Sequence, residues 1–261
     1  MPNYLTYPCK VMRITQRYDG GTSHRAHMTG KPHDYSLDDG CTDGGRDWIY
    51  CGCDALKVVR ITGTKNSKKT NTIWLTSTRA CDLANGMHSV ATLQFIHPND
   101  DDLLKIKVGQ IFKRGDKICR EGNDGATGNH LHLAVGLGTI TNDGWVQNTN
   151  GSWVLTTTGG PIKPEDAFFI DPAFTKIMDK KGLAFKTLPK DKPAAGTYEV
   201  KTTIYVRAGT STKTTIKRAL GPGALVKIDR VKKGIDGRTW GKTSDGGWVC
   251  MDVDALQRVS K

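Results

Sequence analysis

A chain of 261 residues is long enough for one large domain or two modest ones. Hydrophobic residues make up 37% and charged residues 25%, the balance of a soluble globular protein, and no apolar run approaches the roughly 20 residues of a membrane helix, so no membrane insertion is expected. The formal charge of +12 points to an anionic partner: nucleic acid, a membrane surface or an anionic polymer such as a bacterial wall. Oligomeric state is not legible in these numbers.

The first residues, MPNYLTYPCKVMRITQRYDGG, hold no apolar h-region. No secretion signal is expected, and the chain is expected to be made in the cytoplasm and stay there until something releases it. Seven cysteines, at 9, 41, 51, 53, 81, 119 and 250, are an odd number and read mostly as reduced thiols. Cys41, Cys51 and Cys53 form C-x9-C-x-C, but a fourth zinc ligand is not evident, and buried apolar thiols are the default reading.

Residues 23–40, SHRAHMTGKPHDYSLDDG, gather three histidines and three aspartates. Short β-branched or aromatic runs follow, bounded by Gly, Asn and Asp: LKVVRIT, TNTIWLTST, VATLQFIH, KICREG, HLHLAVG and GSWVLTTT. The turns ANG, KRGDK and NDGATGN separate them, and an antiparallel, mainly β domain is expected over residues 1–182. One helical stretch is expected in PEDAFFIDPAFTKIMDKKG, opened by Pro and acids and closed by Lys and Gly. Residues 183–196 read as an extended linker, rich in Pro, Lys and small residues. In residues 197–261 five or six short strands suit a small β-barrel. The charge is uneven: residues 190–261 hold 15 Lys and Arg against 7 Asp and Glu, leaving +4 for the rest of the chain.

The segment GATGNHLHLAVG, residues 125–136, is the most informative. In a strand, alternate side chains share a face, so Leu131, Leu133 and Val135 would face a core while His130 and His132 share the other side, roughly 6.5–7 Å apart. That spacing lets two imidazoles serve one site. His97 ends another expected strand.

These features resemble the lysostaphin-type zinc endopeptidases, which cut bacterial peptidoglycan. The resemblance spans roughly residues 10 to 140. It rests on Thr127-Gly128-Asn129-His130-Leu131-His132-Leu133, on the upstream run from Ile111 to Gly122, on MRITQRYDGGTSH and on FIH before Pro98. It implies one zinc ion held by a His, an Asp and the second His of H-x-H, with two further histidines beside it. Carried over, His132 is a ligand and His130 and His97 are catalytic. The remaining ligands would come from residues 23–40. Many members use H-x-x-x-D, which this chain lacks; His33 and Asp38 are one residue too far apart for it. SHRAH followed by YSLDDG fits a longer-loop variant, giving His24 and Asp38. His27 and His33 then read as loop histidines, Asp34 and Asp39 as turn or solvated acids, and His88 as a surface residue.

Residues 197–261 resemble the bacterial SH3-like domains of wall hydrolases through GTYEV, IYVRAG and TWGKTSDGGWVCM. Tyr205, Arg207, Trp240 and Trp248, together with Tyr198, could line a peptidoglycan-binding groove, although such aromatics equally suit a barrel core. This architecture without a secretion signal resembles phage or prophage endolysins, which accumulate in the host cytoplasm and act on the wall after release. A non-catalytic wall-binding or regulatory protein on a degenerate peptidase fold is the alternative. Nucleic acid is not an expected partner, because aromatics interleaved with a basic stripe are not evident.

Overall fold

The computed structural model describes residues 2–21, 24, 28–40, 45–63, 70–189, 194–253 and 255–259. His27 and Cys41 lie outside them. The chain divides into two compact units, Pro2–Leu188 and Pro189–Lys261. It is mainly β, with largely antiparallel sheets.

In the first unit the strands that position the site are β1 (Val11–Gln16), β2 (Leu37–Gly40), β3 (Ala55–Thr62), β4 (Thr72–Ser77), β5 (Ala91–Ile96), β6 (Ile111–Lys113) and β7 (His130–Leu137), followed by β8 (Ile140–Gln147), β9 (Trp153–Thr157) and β10 (Lys176–Asp179). The main sheet runs β10-β1-β2-β7-β5-β4-β3-β6, antiparallel except for the β1–β10 edge. One face of it is the core. Leu131, Leu133 and Val135 of β7 pack there with Leu37, Leu93, Phe95, Ile73, Leu75, Leu56 and Val58. Each such side chain contributes roughly 1.5–3 kcal/mol by leaving water. On the other face a smaller cluster of Trp74, Ala134 and Leu155 seats the β8–β9 hairpin. Because β7 alternates without a bulge, His130 and His132 emerge on this second face, in line with Ala134.

Two expectations are corrected here. The helix expected from Pro164 is one turn, α2 (Pro164–Ala167), preceded in the chain by an equally short α1 (Asp100–Leu103). Beyond it Phe169 exchanges backbone hydrogen bonds with the N-terminal segment, donating to the Leu5 carbonyl and accepting from Tyr7 N–H, both at 2.9 Å. Pro172 also turns the preceding residue away from helical geometry. Pairing of Phe168, Phe169 and Ile170 into the core outweighs local helix preference. The linker expected from residue 183 is packed as far as Leu188. Leu183 is buried, Phe185 meets Tyr7 edge-on at 5.7 Å, and Lys186–Thr187 pairs with Phe169–Ile170.

The turn that carries His97 is anchored by Asp102. Its carboxylate accepts from Arg120 Nε at 2.8 Å, Arg120 Nη2 at 3.0 Å and the Arg120 backbone N–H at 3.0 Å. Burial pushes the Asp102 carboxyl up, but these bonds and the Arg120 charge outweigh it and hold the group below its usual range. Its stabilisation is therefore complete above the unfolded carboxyl value near 4 and disappears as pH falls below it. Asp102→Asn is expected to cost about 2 kcal/mol at pH 7. The loss should shrink on acidification; urea unfolding at pH 7 and pH 3 reads it, and an equal loss at both would contradict the assignment.

The second unit forms a seven-stranded antiparallel sheet from β11 (Gly196–Val200), β12 (Ile204–Arg207), β13 (Ile216–Leu220), β14 (Leu225–Lys233), β15 (Thr239–Thr243), β16 (Trp248–Cys250) and β17 (Leu256–Arg258), in the order β13-β12-β16-β15-β14-β11-β17. Its core is Tyr198, Val200, Ile204, Val206, Val226, Ile228, Val249 and Met251. Every cysteine among the described residues is free of disulfides. Cys51 donates toward the Cys53 and Phe112 carbonyls, and Cys53 toward that of Ala55.

Candidate metal centre

Four histidines and an aspartate converge where β2, β7 and the end of β5 meet. Asp38 and His132 are direct cross-strand partners, and His132 lies opposite Ile96, the residue before His97. His24 comes from the chain after β1. One oxygen is the focus: Asp38 Oδ1 lies 2.9 Å from His132 Nδ1, 3.2 Å from His24 Nε2 and 3.7 Å from His130 Nε2. The His97 ring stands 4.6 Å from that of His130. His24 and His132 are buried, with 2% and 7% of their surface accessible.

The imidazole tautomers follow from partners that can only accept. His24 Nδ1 lies 3.0 Å from the Arg17 carbonyl, His97 Nδ1 2.5 Å from that of Asp124, and His130 Nδ1 2.9 Å from that of Gly128. Each Nδ1 therefore carries hydrogen, and each neutral ring keeps its lone pair on Nε2. For His24 that lone pair faces a carboxylate oxygen at 3.2 Å. Two acceptors cannot hold each other, so the contact calls for a cation between them, either a proton or a metal ion. Electrostatics agree on the sign. Burial lowers the basicity of His24, yet the hydrogen bond and charge of Asp38 raise it above its ordinary value. Burial would raise Asp38, yet bonds from His132 and His24 hold it far below the carboxylate range.

The donor set fits zinc. Two imidazole nitrogens and one carboxylate oxygen all lie within 4.8 Å of one another, at His24, Asp38 and His132. Tetrahedral bonds of about 2.0–2.1 Å put ligand atoms roughly 3.3 Å apart. The observed 2.9 and 3.2 Å are slightly closed from that spacing.

His97 is held differently. Burial, with the nearby His132 and His130 rings adding to it and the Asp124 carbonyl opposing it, pushes its value down to about 4, so it is neutral at pH 7. Its backbone has φ +68°, the left-handed region that costs an L-residue roughly 1–2 kcal/mol. Strain of this kind clusters at functional sites. His97→Gly is therefore expected to be about 1 kcal/mol more stable than His97→Ala, since glycine adopts this φ freely. Equal urea midpoints for the two variants would contradict this.

The competing residues are placed elsewhere. Asp39 projects to the core face, where its carboxylate accepts from Tyr7 Oη at 2.9 Å and Arg13 N–H at 2.6 Å. It is a buried acid, raised to about 7 by burial, rather than a solvated one. Asp34 caps a turn by accepting from Ser36 N–H at 2.9 Å. His33 is exposed with Nδ1 2.7 Å from the Met28 carbonyl, and exposed His88 pairs with Asp82 at 2.8 Å. Residues that sequence reasoning missed share the cleft of about 900 Å³ with the histidines: Trp145, Ser152 and Trp153 of the β8–β9 hairpin, and Gly125–Thr127. Trp145 is braced edge-on by buried Trp74 at 5.0 Å, while Trp153 is 55% exposed.

In the second unit Tyr205, Arg207 and Trp240 line one groove of about 450 Å³. Tyr198 is core, and Trp248 is not in that groove. It lies beneath Arg230, Lys232 and Lys242, which corrects the four-residue groove expected from the sequence.

No protein-family model and no curated protein matches this chain. Among solved structures it is similar to lysostaphin from Staphylococcus simulans (17% identical, 98% of each chain covered, TM-score 0.37) and to the solution structure of lysostaphin (18%, 86% of this chain and 84% of that one, TM-score 0.32). A zinc-containing peptidase from Vibrio cholerae is 19% identical over 50% of this chain and 37% of that one, with TM-score 0.30. Overlaps of this size leave the chemistry to be argued from the side chains.

Proposed function

We propose that this chain is a zinc-dependent endopeptidase of lysostaphin type that cuts peptide bonds in bacterial peptidoglycan. The observation that supports it most is the His24 lone pair facing Asp38 Oδ1, with His132 Nδ1 on the same oxygen and two further imidazoles alongside. Zinc held by His24, Asp38 and His132 would supply Lewis acidity and a water that ionises near neutral pH. The remaining chemistry belongs to His97 and His130. Both engage Nδ1–H with backbone carbonyls, which fixes the rings and directs the Nε2 lone pairs elsewhere. The Nε2 lone pair of one ring accepts the proton of the attacking water and returns it to the departing amine, while that of the other accepts the water's second hydrogen and holds it in place.

The second unit, in this reading, is a small SH3-like barrel that keeps the enzyme on the wall, so that local substrate concentration rises. Its action follows release from a host cytoplasm, as in endolysins. The test is digestion of purified Gram-positive walls by the zinc-loaded chain, with and without chelator, scoring new amino groups and new reducing ends. New amino groups alone, abolished by chelator, are expected. Reducing ends would make it a glycosidase. Binding without release from walls of several cross-link chemistries would make it a non-catalytic wall-binding protein.

A further inference from the structure

On the outer face of the second unit three cations crowd one indole. Lys232 Nζ lies 4.6 Å, Lys242 Nζ 5.3 Å and the Arg230 guanidinium 5.8 Å from the Trp248 ring centre. None of the ion pairs among the described residues involves them, although acidic groups elsewhere in this unit are paired, as Asp245 is with Arg218 and Glu199 with Lys201. Charges this close to one centre lie within about a Debye length of one another, roughly 10 Å at 0.1 M salt. Their mutual repulsion opposes folding and is only partly offset by cation–π attraction to the indole. Asp229, exposed at the bulge before Arg230, is the one neighbouring acid in the strand.

The sheet register explains how they meet. Arg230 pairs with Lys242, Lys242 with Trp248, and Trp248 with Arg207, so four residues form a row across β14, β15, β16 and β12. Lys232 joins from two residues along β14 on the same face. Strands are about 4.8 Å apart, so the row spreads positive charge over a line rather than a point. The indole is only 7% exposed, which leaves no open aromatic face on which a base could stack.

We infer that this row is a binding site for a linear phosphodiester polymer without bases, adjoining the groove at Tyr205 and Trp240, with which it shares Arg207. Arg230 contributes a planar fork and the lysines contribute point charges, a combination suited to successive phosphates. The choice of polymer rests on the wall-directed reading above; the phosphate chemistry does not.

Binding is measured on the full chain with chelator present, so its outcome is independent of cleavage. The probe is poly(glycerol phosphate), titrated over a range of salt. The combined variant Arg230→Gln, Lys232→Gln, Lys242→Gln is compared with a charge-matched control of exposed first-unit lysines, Lys57→Gln, Lys105→Gln, Lys107→Gln. The site variant is expected to bind at least about tenfold more weakly at ~50 mM salt, with a slope of log K against log salt shallower by about 2, close to 0.7 for each phosphate that is no longer neutralised. The control should keep the slope of the unaltered chain. An equal loss in both variants would overturn the site and leave only diffuse charge. Tighter binding of duplex DNA with the same number of phosphates, or equal binding of polyglutamate, would overturn the ligand class.

Discussion

His132→Ala and Asp38→Ala are each expected to lower amide cleavage by at least about 10³-fold and to lose zinc with it. The expectation follows from their place in the sheet. The two side chains are direct cross-strand partners, and Asp38 Oδ1 is the atom on which three imidazoles converge. Groups that merely orient a metal ligand are worth about 10–100-fold in affinity or activity, so a ligand itself should exceed that. Asp38→Asn separates charge from shape. It preserves volume but removes the carboxylate that draws a cation between it and the His24 lone pair, and should bind zinc nearly as poorly as Asp38→Ala. The metal-free fold should lose only about 1–3 kcal/mol, the cost of leaving one buried partner unmatched. Full zinc retention by Asp38→Asn would show that the aspartate is not a ligand.

His130→Ala and His97→Ala should behave in the opposite way, keeping one zinc per chain while kcat falls by about 10²–10⁴-fold. Neither ring belongs to the trio whose donor atoms lie within 4.8 Å of one another. Both hold Nδ1–H on a backbone carbonyl, so each offers only Nε2 to the reaction. KM should change little, since the loss is confined to the transition state. The double variant should be little worse than either single one, because both rings act on the same attacking water. If His130→Ala lost zinc, its Nε2, 3.7 Å from Asp38 Oδ1, would have to be reassigned as a ligand.

Much of this was legible from strand periodicity. HLHLAVG alternates strictly, and burial of Leu131, Leu133 and Val135 leaves His130 and His132 together on the opposite face. The same parity separates Asp38 from Asp39, which one residue sends to the site and to the core respectively. The expected strands around LKVVRIT, TIWLTS and ATLQFI begin within a residue or two of where they form. The cleft wall was not legible, for a local reason. In ITNDGWVQ, the residues Asn142, Asp143 and Gly144 all have positive φ, so a sequence with the chemistry of a turn becomes a bulge inside β8. Such a bulge redirects the residue after it, here Trp145. The short helix failed because pairing with Leu5 and Tyr7 is long-range and leaves no trace in local propensity. Trp248 was misplaced because its covering cations come from two other strands, a matter of register rather than composition.

That His24, Asp38 and His132 hold the zinc of a hydrolase is tested most directly by metal content. The chain is equilibrated with zinc, free ion is removed, and the unaltered protein is compared with Asp38→Asn, His132→Ala and His130→Ala. The predicted result is one zinc per chain for the unaltered protein and for His130→Ala, with little in the other two. Equal zinc in all four, or none in the unaltered chain, would contradict it.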